Sequence, residues 1–260
     1  PAPQAAFLRY AMGLVFLIPM LGSLRRLRLD RGTWGFFAAR GLVHTVGVAL
    51  WFYAMARIPI ADVTAMNYLA PIYVTLGAGL FLGERLALRR VLAVGVALIG
   101  ALIILRPGFR EVGSGHLAMI FTAIFFGASY LIAKVVSGRS SPGVVVAMLS
   151  ITVTIGLAPL AAAVWVTPTP WELAILFAVA TLATAGHYTM TLAFRAAPLA
   201  VTQPVTFLQL VWAVLLGALV FGEGVDVLGG MVIVGAVSFI SWREAVLKRR
   251  ITPTVSATKV

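Results

Sequence analysis

The chain has 260 residues, of which 61% are hydrophobic and 11% charged, and it carries a formal net charge of +12. A soluble globular chain is about 45–50% apolar and about 25% charged. The composition therefore excludes a soluble enzyme, a disordered chain and a nucleic-acid module, and describes an all-α polytopic membrane bundle.

One spanning helix needs about 20 predominantly apolar residues. Windows bounded by Pro, Gly and Arg clusters predict nine spans: 4–22, 34–56, 61–82, 90–106, 115–136, 143–166, 171–194, 199–221 and 226–242. Links are short; only Gly83 to Arg89 separates the third span from the fourth. Runs such as Val91–Leu105 do not alternate with period two, so helices are expected rather than barrel strands. The tail after Arg250 is polar and is expected to be disordered.

Basic residues sort by loop. Arg25, Arg26, Arg28 and Arg31 follow the first span, Arg85, Arg89 and Arg90 the third, and Lys134 and Arg139 the fifth. Arg195 follows the seventh, and Arg243, Lys248, Arg249, Arg250 and Lys259 lie in the tail. Only Arg57, Arg106 and Arg110 fall in the intervening loops. The positive-inside rule then places the C-terminal tail in the cytoplasm and the visible N-terminus outside, in a bacterial-type inner membrane. Membrane orientation accounts for the positive charge, so no nucleic-acid partner is expected. The expected partners are the lipid bilayer and a small-molecule substrate, with a homodimer left open.

There is no cysteine, which removes disulfides, thiolate metal sites and a cysteine nucleophile. There is no Walker loop, no HExxH and no GxSxG. No catalytic residue, metal or cofactor is expected, and ATP-driven transport by this chain alone is excluded.

The sequence repeats at an offset of 139: residues 47–84 align without gaps with 186–223. Gly47 meets Gly186, Pro59 meets Pro198, Gly83 meets Gly222 and Glu84 meets Glu223. Pro59 and Pro198 suit the first turn of a helix, where no backbone donor is needed. Extending the alignment brings Pro3 onto Pro142. The sequence is then expected to begin after the first span of its first copy, with nine spans present of ten. The expected units are 1–107 for the first repeat (four spans), 108–243 for the second (five spans) and 244–260 for the tail. Copies of five spans begin on opposite sides of the membrane, which makes the repeats inverted, an architecture common in secondary transporters.

The stretch RIPIADVTAMNYLAPIYVTLGAGLFLGERLALRR, followed by VGVALIGALIILRPG, resembles the EamA-domain family of the drug/metabolite transporter superfamily. AFRAAPLAVTQPVTFLQLVWAVLLGALVFGE and then GGMVIVGAVSFISWRE carry the same signature in the second copy. The resemblance covers essentially the whole chain, and its most specific piece is the Gly-Glu pair ending a helix in each half. Arg9 and Lys134 also sit where the family often has basic residues. The resemblance implies ten helices, and the first family helix is expected to be missing from the sequence given. It implies secondary transport of amino acids, nucleotide-linked metabolites, vitamins such as riboflavin, S-adenosylmethionine or exported toxic compounds, without choosing among them.

Ionisable groups inside spans cost on the order of several kcal/mol unless paired or wet. Arg9 is expected either to snorkel to the outer interface or to contact an anion or a partner helix, and Lys134 is grouped with it. Arg40 is expected to snorkel to the cytoplasmic interface. His44 and His187 lie inside corresponding spans; at the repeat offset His187 falls one helical turn from His44 on the same face. Inverted halves would bring both to one cavity. There they would hydrogen-bond substrate or titrate, as an alternative to separate capping by backbone carbonyls. Two histidines do not make a zinc site.

Polar and aromatic groups cluster at the same depth: Trp51, Asn67, Tyr68, Tyr130, Tyr188, Gln203, Gln209 and Trp212 complete the expected substrate-binding set. Pro71 and Pro204 are expected to break their helices and free carbonyls. Gly79 and Gly83 are read as a packing pair. Glu84 and Glu223 are read as structural, bonding neighbouring helix ends.

The function read from all this is secondary transport of small metabolites or amphipathic solutes by alternating access, either export or uptake. A lipid enzyme would need paired intramembrane acids or a Ser/His pair, and a scaffold or sensor would need longer loops.

Overall fold

The computed structural model describes residues 1–20, 30–84, 88–105 and 112–221, with 231–232, 234–235 and 238–239 beyond them. In chain order it contains α1 (Ala2–Gly13), a 3-10 stretch (Leu14–Met20), α2 (Arg31–Met55), α3 (Ile60–Asn67) and α4 (Ala70–Phe81). Then follow α5 (Leu88–Leu105), α6 (Ser114–Ser137), α7 (Pro142–Ala163), α8 (Pro170–Ala196), α9 (Leu199–Thr206) and α10 (Leu208–Phe221). No strand occurs among the described residues. Most of the expected ninth span, the tail and Glu223 lie outside them.

Helices α2, α6, α7 and α8 are each long and apolar enough to cross a membrane. Their starts are set by local chemistry. Ser141 and Thr169 cap α7 and α8, each followed by a proline in the first turn. Glu172 reaches back to Thr169, so two otherwise orphaned N–H groups are satisfied.

Three expected single spans are divided. The first is α1 followed by the 3-10 stretch, which contains Pro19, a residue unable to continue α-helical bonding. The third divides where Pro71 has no N–H to offer the carbonyl of Asn67, at which α3 ends. The eighth divides at Phe207, three residues beyond the expected break at Pro204. The rings of Tyr68 and Phe207 stack at 4.9 Å between centroids and 22° between planes. The two broken helices thus meet at their breaks.

Asp30 caps α2, accepting from the Thr33 hydroxyl at 2.6 Å and the Thr33 N–H at 3.0 Å. Those two bonds hold its carboxyl below the usual carboxylate range. The cap therefore stabilises above the ordinary carboxylate pKa and is lost as pH falls through the lowered one. Asp30→Ala is expected to melt slightly below the parent at neutral pH. The difference should close in strong acid, measured as paired thermal midpoints; a gap independent of pH would refute the assignment.

Helix α2 is the hub. It packs most extensively on α6 and also on α7, while α1 lies against α7 and α8, and α4 against α6 and α9. Close approach of α2 and α7 rests on reciprocal small residues. Gly41 faces Thr152, and one turn on, Thr45 faces Gly156. Gly83 plays another part than the expected packing partner of Gly79. It has φ +64 and open space beside it, so it ends α4 by entering a backbone region L residues rarely adopt. Glu84 follows, and its Oε1 accepts from the N–H of Leu199 at 2.9 Å, joining the end of α4 to the start of α9.

Candidate solute site

Helices α1, α2, α3, α6, α8 and α10 enclose a cavity of about 500 Å³, within the usual range of about 300–1,000 Å³ for small-molecule sites. It lies toward the end of the bundle where α1 begins and the α7–α8 link passes. That link is fastened to α1 by Gln4, which donates to the Val166 carbonyl at 2.6 Å and accepts from the Val166 N–H at 2.9 Å.

The floor is organised by His44. Its Nε2 bonds the Tyr10 hydroxyl at 2.8 Å and its Nδ1 bonds the Ser129 hydroxyl at 3.0 Å, so α1, α2 and α6 are tied through one ring. The His187 ring, from α8, stands 5.9 Å away between centroids and nearly perpendicular. Phe126 packs against His44, at 5.1 Å, and against Trp51 at 6.4 Å.

Three buried polar atoms of cavity-lining side chains have no partner among the described residues: Trp51 Nε1, Asn67 Oδ1 and His187 Nδ1. Buried polar groups are normally hydrogen-bonded, so three orphans on one cavity call for an explanation.

Of the residues singled out in the sequence, His44, Trp51, Asn67, Tyr130, His187, Gln209 and Arg9 line this cavity. The Arg9 guanidinium lies over the Tyr10 ring, 4.2 Å from its centroid. Tyr68 and Gln203 are buried elsewhere, Tyr68 at the helix break and Gln203 within α9. Tyr188 and Trp212 point outward, 44% and 64% exposed. Lys134 donates to the carbonyls of Phe194 and Ala197, at the end of α8. Arg40 corrects the sequence reading. It does not snorkel; it is 1% exposed and donates one Nη1 bond, to the Val145 carbonyl at 3.1 Å.

Sequence reasoning missed Tyr10, Ser129 and Phe126. Tyr10 and Ser129 carry hydroxyls in otherwise apolar stretches, the available signal. Phe126 had none.

A bundle of membrane-crossing helices around a polar-floored cavity defines a polytopic membrane transporter. The chain belongs to the EamA-like transporter family, whose model matches residues 1–106 and 113–242. It is 33% identical over 254 residues to a riboflavin transporter of Rhizobium johnstonii, covering 96% of this chain and 84% of that protein. It is 25% identical to an S-adenosylmethionine uptake transporter of Rickettsia bellii, covering 93% and 84% respectively. A crystal structure at 18% identity superimposes with a TM-score of 0.78, covering 96% of this chain and 89% of that one, and shares the fold. The chain is a membrane-embedded secondary transporter of small metabolites and not an enzyme.

Proposed function

We propose that the chain carries a planar heteroaromatic metabolite of the flavin type across a bacterial inner membrane, using the cavity above His44 as the solute site. The carrying observation is the trio of unpartnered polar atoms on Trp51, Asn67 and His187. They supply a donor, an acceptor and a nitrogen able to act as either, beside the faces of Trp51 and Phe126. A flat ring edged with alternating donors and acceptors would satisfy all three. The identity to a riboflavin transporter over nearly the full chain supports the same reading.

Residues 1–107 and 108–243 act as the two inverted repeats in this proposal, with the C-terminus cytoplasmic and the solute alternately exposed to the two sides. The cavity then faces outward in this structure.

The test is riboflavin binding to the purified full chain in nanodiscs, followed by quenching of flavin fluorescence. Saturable quenching is expected in the parent, weakened by about tenfold or more in Trp51→Ala and in Asn67→Ala, since each loses a stacked face or a buried hydrogen bond. Trp212→Ala, altered at an exposed position, should bind as the parent does. Unchanged affinity in both cavity variants would overturn the site.

A further inference from the structure

Among the described residues, the charge that lines the cavity or lies directly beneath its floor has one sign. Four acidic residues lie among the described residues, and all sit at helix ends away from the cavity wall. Asp30 caps α2, and Asp62 lies in the first turn of α3, 3.8 Å from His116. Glu84 holds the N–H of Leu199, and Glu172 accepts from the N–H of Thr169, the cap of α8. The described cations within the bundle, by contrast, mark a route. Arg9 lies on the cavity wall. Arg40 lies on α2 four residues before His44, hence on the same helix face and one turn deeper than the cavity floor.

Arg40 is the unexplained residue. It is among the largest fully buried side chains, yet Nε and Nη2 have no partner among the described residues. A guanidinium offers five N–H donors and no acceptor, and one carbonyl satisfies one of them. A charged group kept in a membrane interior without a counter-ion costs on the order of several kcal/mol. Retention of that cost is explained if a counter-charge arrives during the working cycle.

We propose that the transported solute carries a negative charge, and that Arg9 and Arg40 are its successive stations. The ring is read by Trp51, Asn67 and His187, as in the function proposed above, on which this inference rests. The attached carboxylate or phosphate rests by Arg9 while the cavity is loaded from the α1 end. It meets the free donors of Arg40 once the floor at His44 yields and the opposite end opens. Charge-assisted bonds of this kind are roughly twice as strong as neutral ones, and guanidinium matches both oxyanions in shape. The same one-signed field rejects a planar cation or a sulfonium.

The test compares riboflavin with riboflavin 5′-phosphate on the full chain, by fluorescence quenching in nanodiscs and by uptake into proteoliposomes. The phosphate ester is expected to bind about tenfold tighter in the parent. Arg9→Gln removes that advantage, so that the ester and riboflavin bind the variant about equally. Arg40→Gln leaves binding of the ester within about twofold but slows its uptake by about tenfold or more, while Arg40→Lys restores part of the rate by returning the charge. A readout needing no variant accompanies these: an inside-positive potential set with potassium and valinomycin speeds uptake of the ester by the parent and does not speed uptake of riboflavin. Equal affinity for the two flavins, with no acceleration by the potential, overturns the anion while leaving the ring site standing. Failure of both flavins to bind overturns the ring site and the anion together.

Discussion

Gly41→Ala is expected to remove most of the monodisperse protein and to lower the thermal midpoint of what remains by about 10 °C. A Cβ at position 41 would lie 2.3 Å from both Cβ and Oγ1 of Thr152. A rotamer change can move Oγ1 but not the Thr152 Cβ, which is fixed to its own backbone. Helices α2 and α7 must therefore separate, which would also open the reciprocal contact of Thr45 with Gly156, where a Cβ would lie 2.7 Å from Thr45 Cγ2. Overpacking costs about 1–3 kcal/mol and occasionally more, and a chain of this size loses about 2–4 °C per kcal/mol. Interlocking along a helix pair puts this site at the upper end. Two companions make the argument specific. Gly41→Ala combined with Thr152→Gly should recover most of the loss, because the new methyl then faces a vacated one. Gly35→Ala, on the same helix with nothing within 4 Å, should melt at or slightly above the parent, since alanine is the better helix former. Equal melting of Gly41→Ala and Gly35→Ala, read by size exclusion after heating, would refute the close contact.

Exchanging His44 for Phe is expected to be nearly as damaging. Phenylalanine fills the volume but leaves the Tyr10 hydroxyl and the Ser129 hydroxyl without their partner, at positions 4% and 0% exposed. An unsatisfied buried group costs about 1–3 kcal/mol, so two of them lower the midpoint by roughly 5–10 °C. Riboflavin quenching should be lost as well, because the floor that positions His187 and Trp51 loosens. Adding Ser129→Ala and Tyr10→Phe removes the stranded hydroxyls and should return stability without returning binding. That split separates the structural part of His44 from its part in the site. Recovery of both together, or loss of neither in the single variant, would contradict the bonding seen here.

Much of this was readable beforehand, and the reasons differ by element. Helices α6, α7 and α8 are unbroken apolar runs, the last two with polar caps, so their limits fall close to the hydropathy windows. The breaks at 68–69 and at 207 sit inside apolar sequence, where hydropathy is blind. Proline flagged the first, because its missing donor acts four residues back; at the second, α9 accommodates Pro204 and yields only at Phe207. The repeat offset had placed His44 and His187 one helical turn apart on matching spans, and their rings stand 5.9 Å apart between centroids. Neighbours in sequence were a poorer guide. Tyr188 follows His187 directly, yet adjacent helical residues point about 100° apart, which turns Tyr188 outward. Arg40 was misread for the opposite reason. Its distance from the helix end suggested an interface, while its spacing of four from His44 already placed it on the buried face.

The corner between α8 and α9 is held by Lys134 and Glu84, and both grip main-chain atoms: the carbonyls of Phe194 and Ala197 and the N–H of Leu199. Every amino acid supplies such a carbonyl, and every one but proline supplies such an N–H. The exposed side chains of the corner, Arg195, Ala196 and Pro198, are therefore free to diverge without loosening the brace. The two gripping side chains are not. Descendants of this sequence can thus retune that surface, or the solute cavity at the other end, by separate substitutions. The brace is inherited with the backbone and needs only two letters of the sequence to persist.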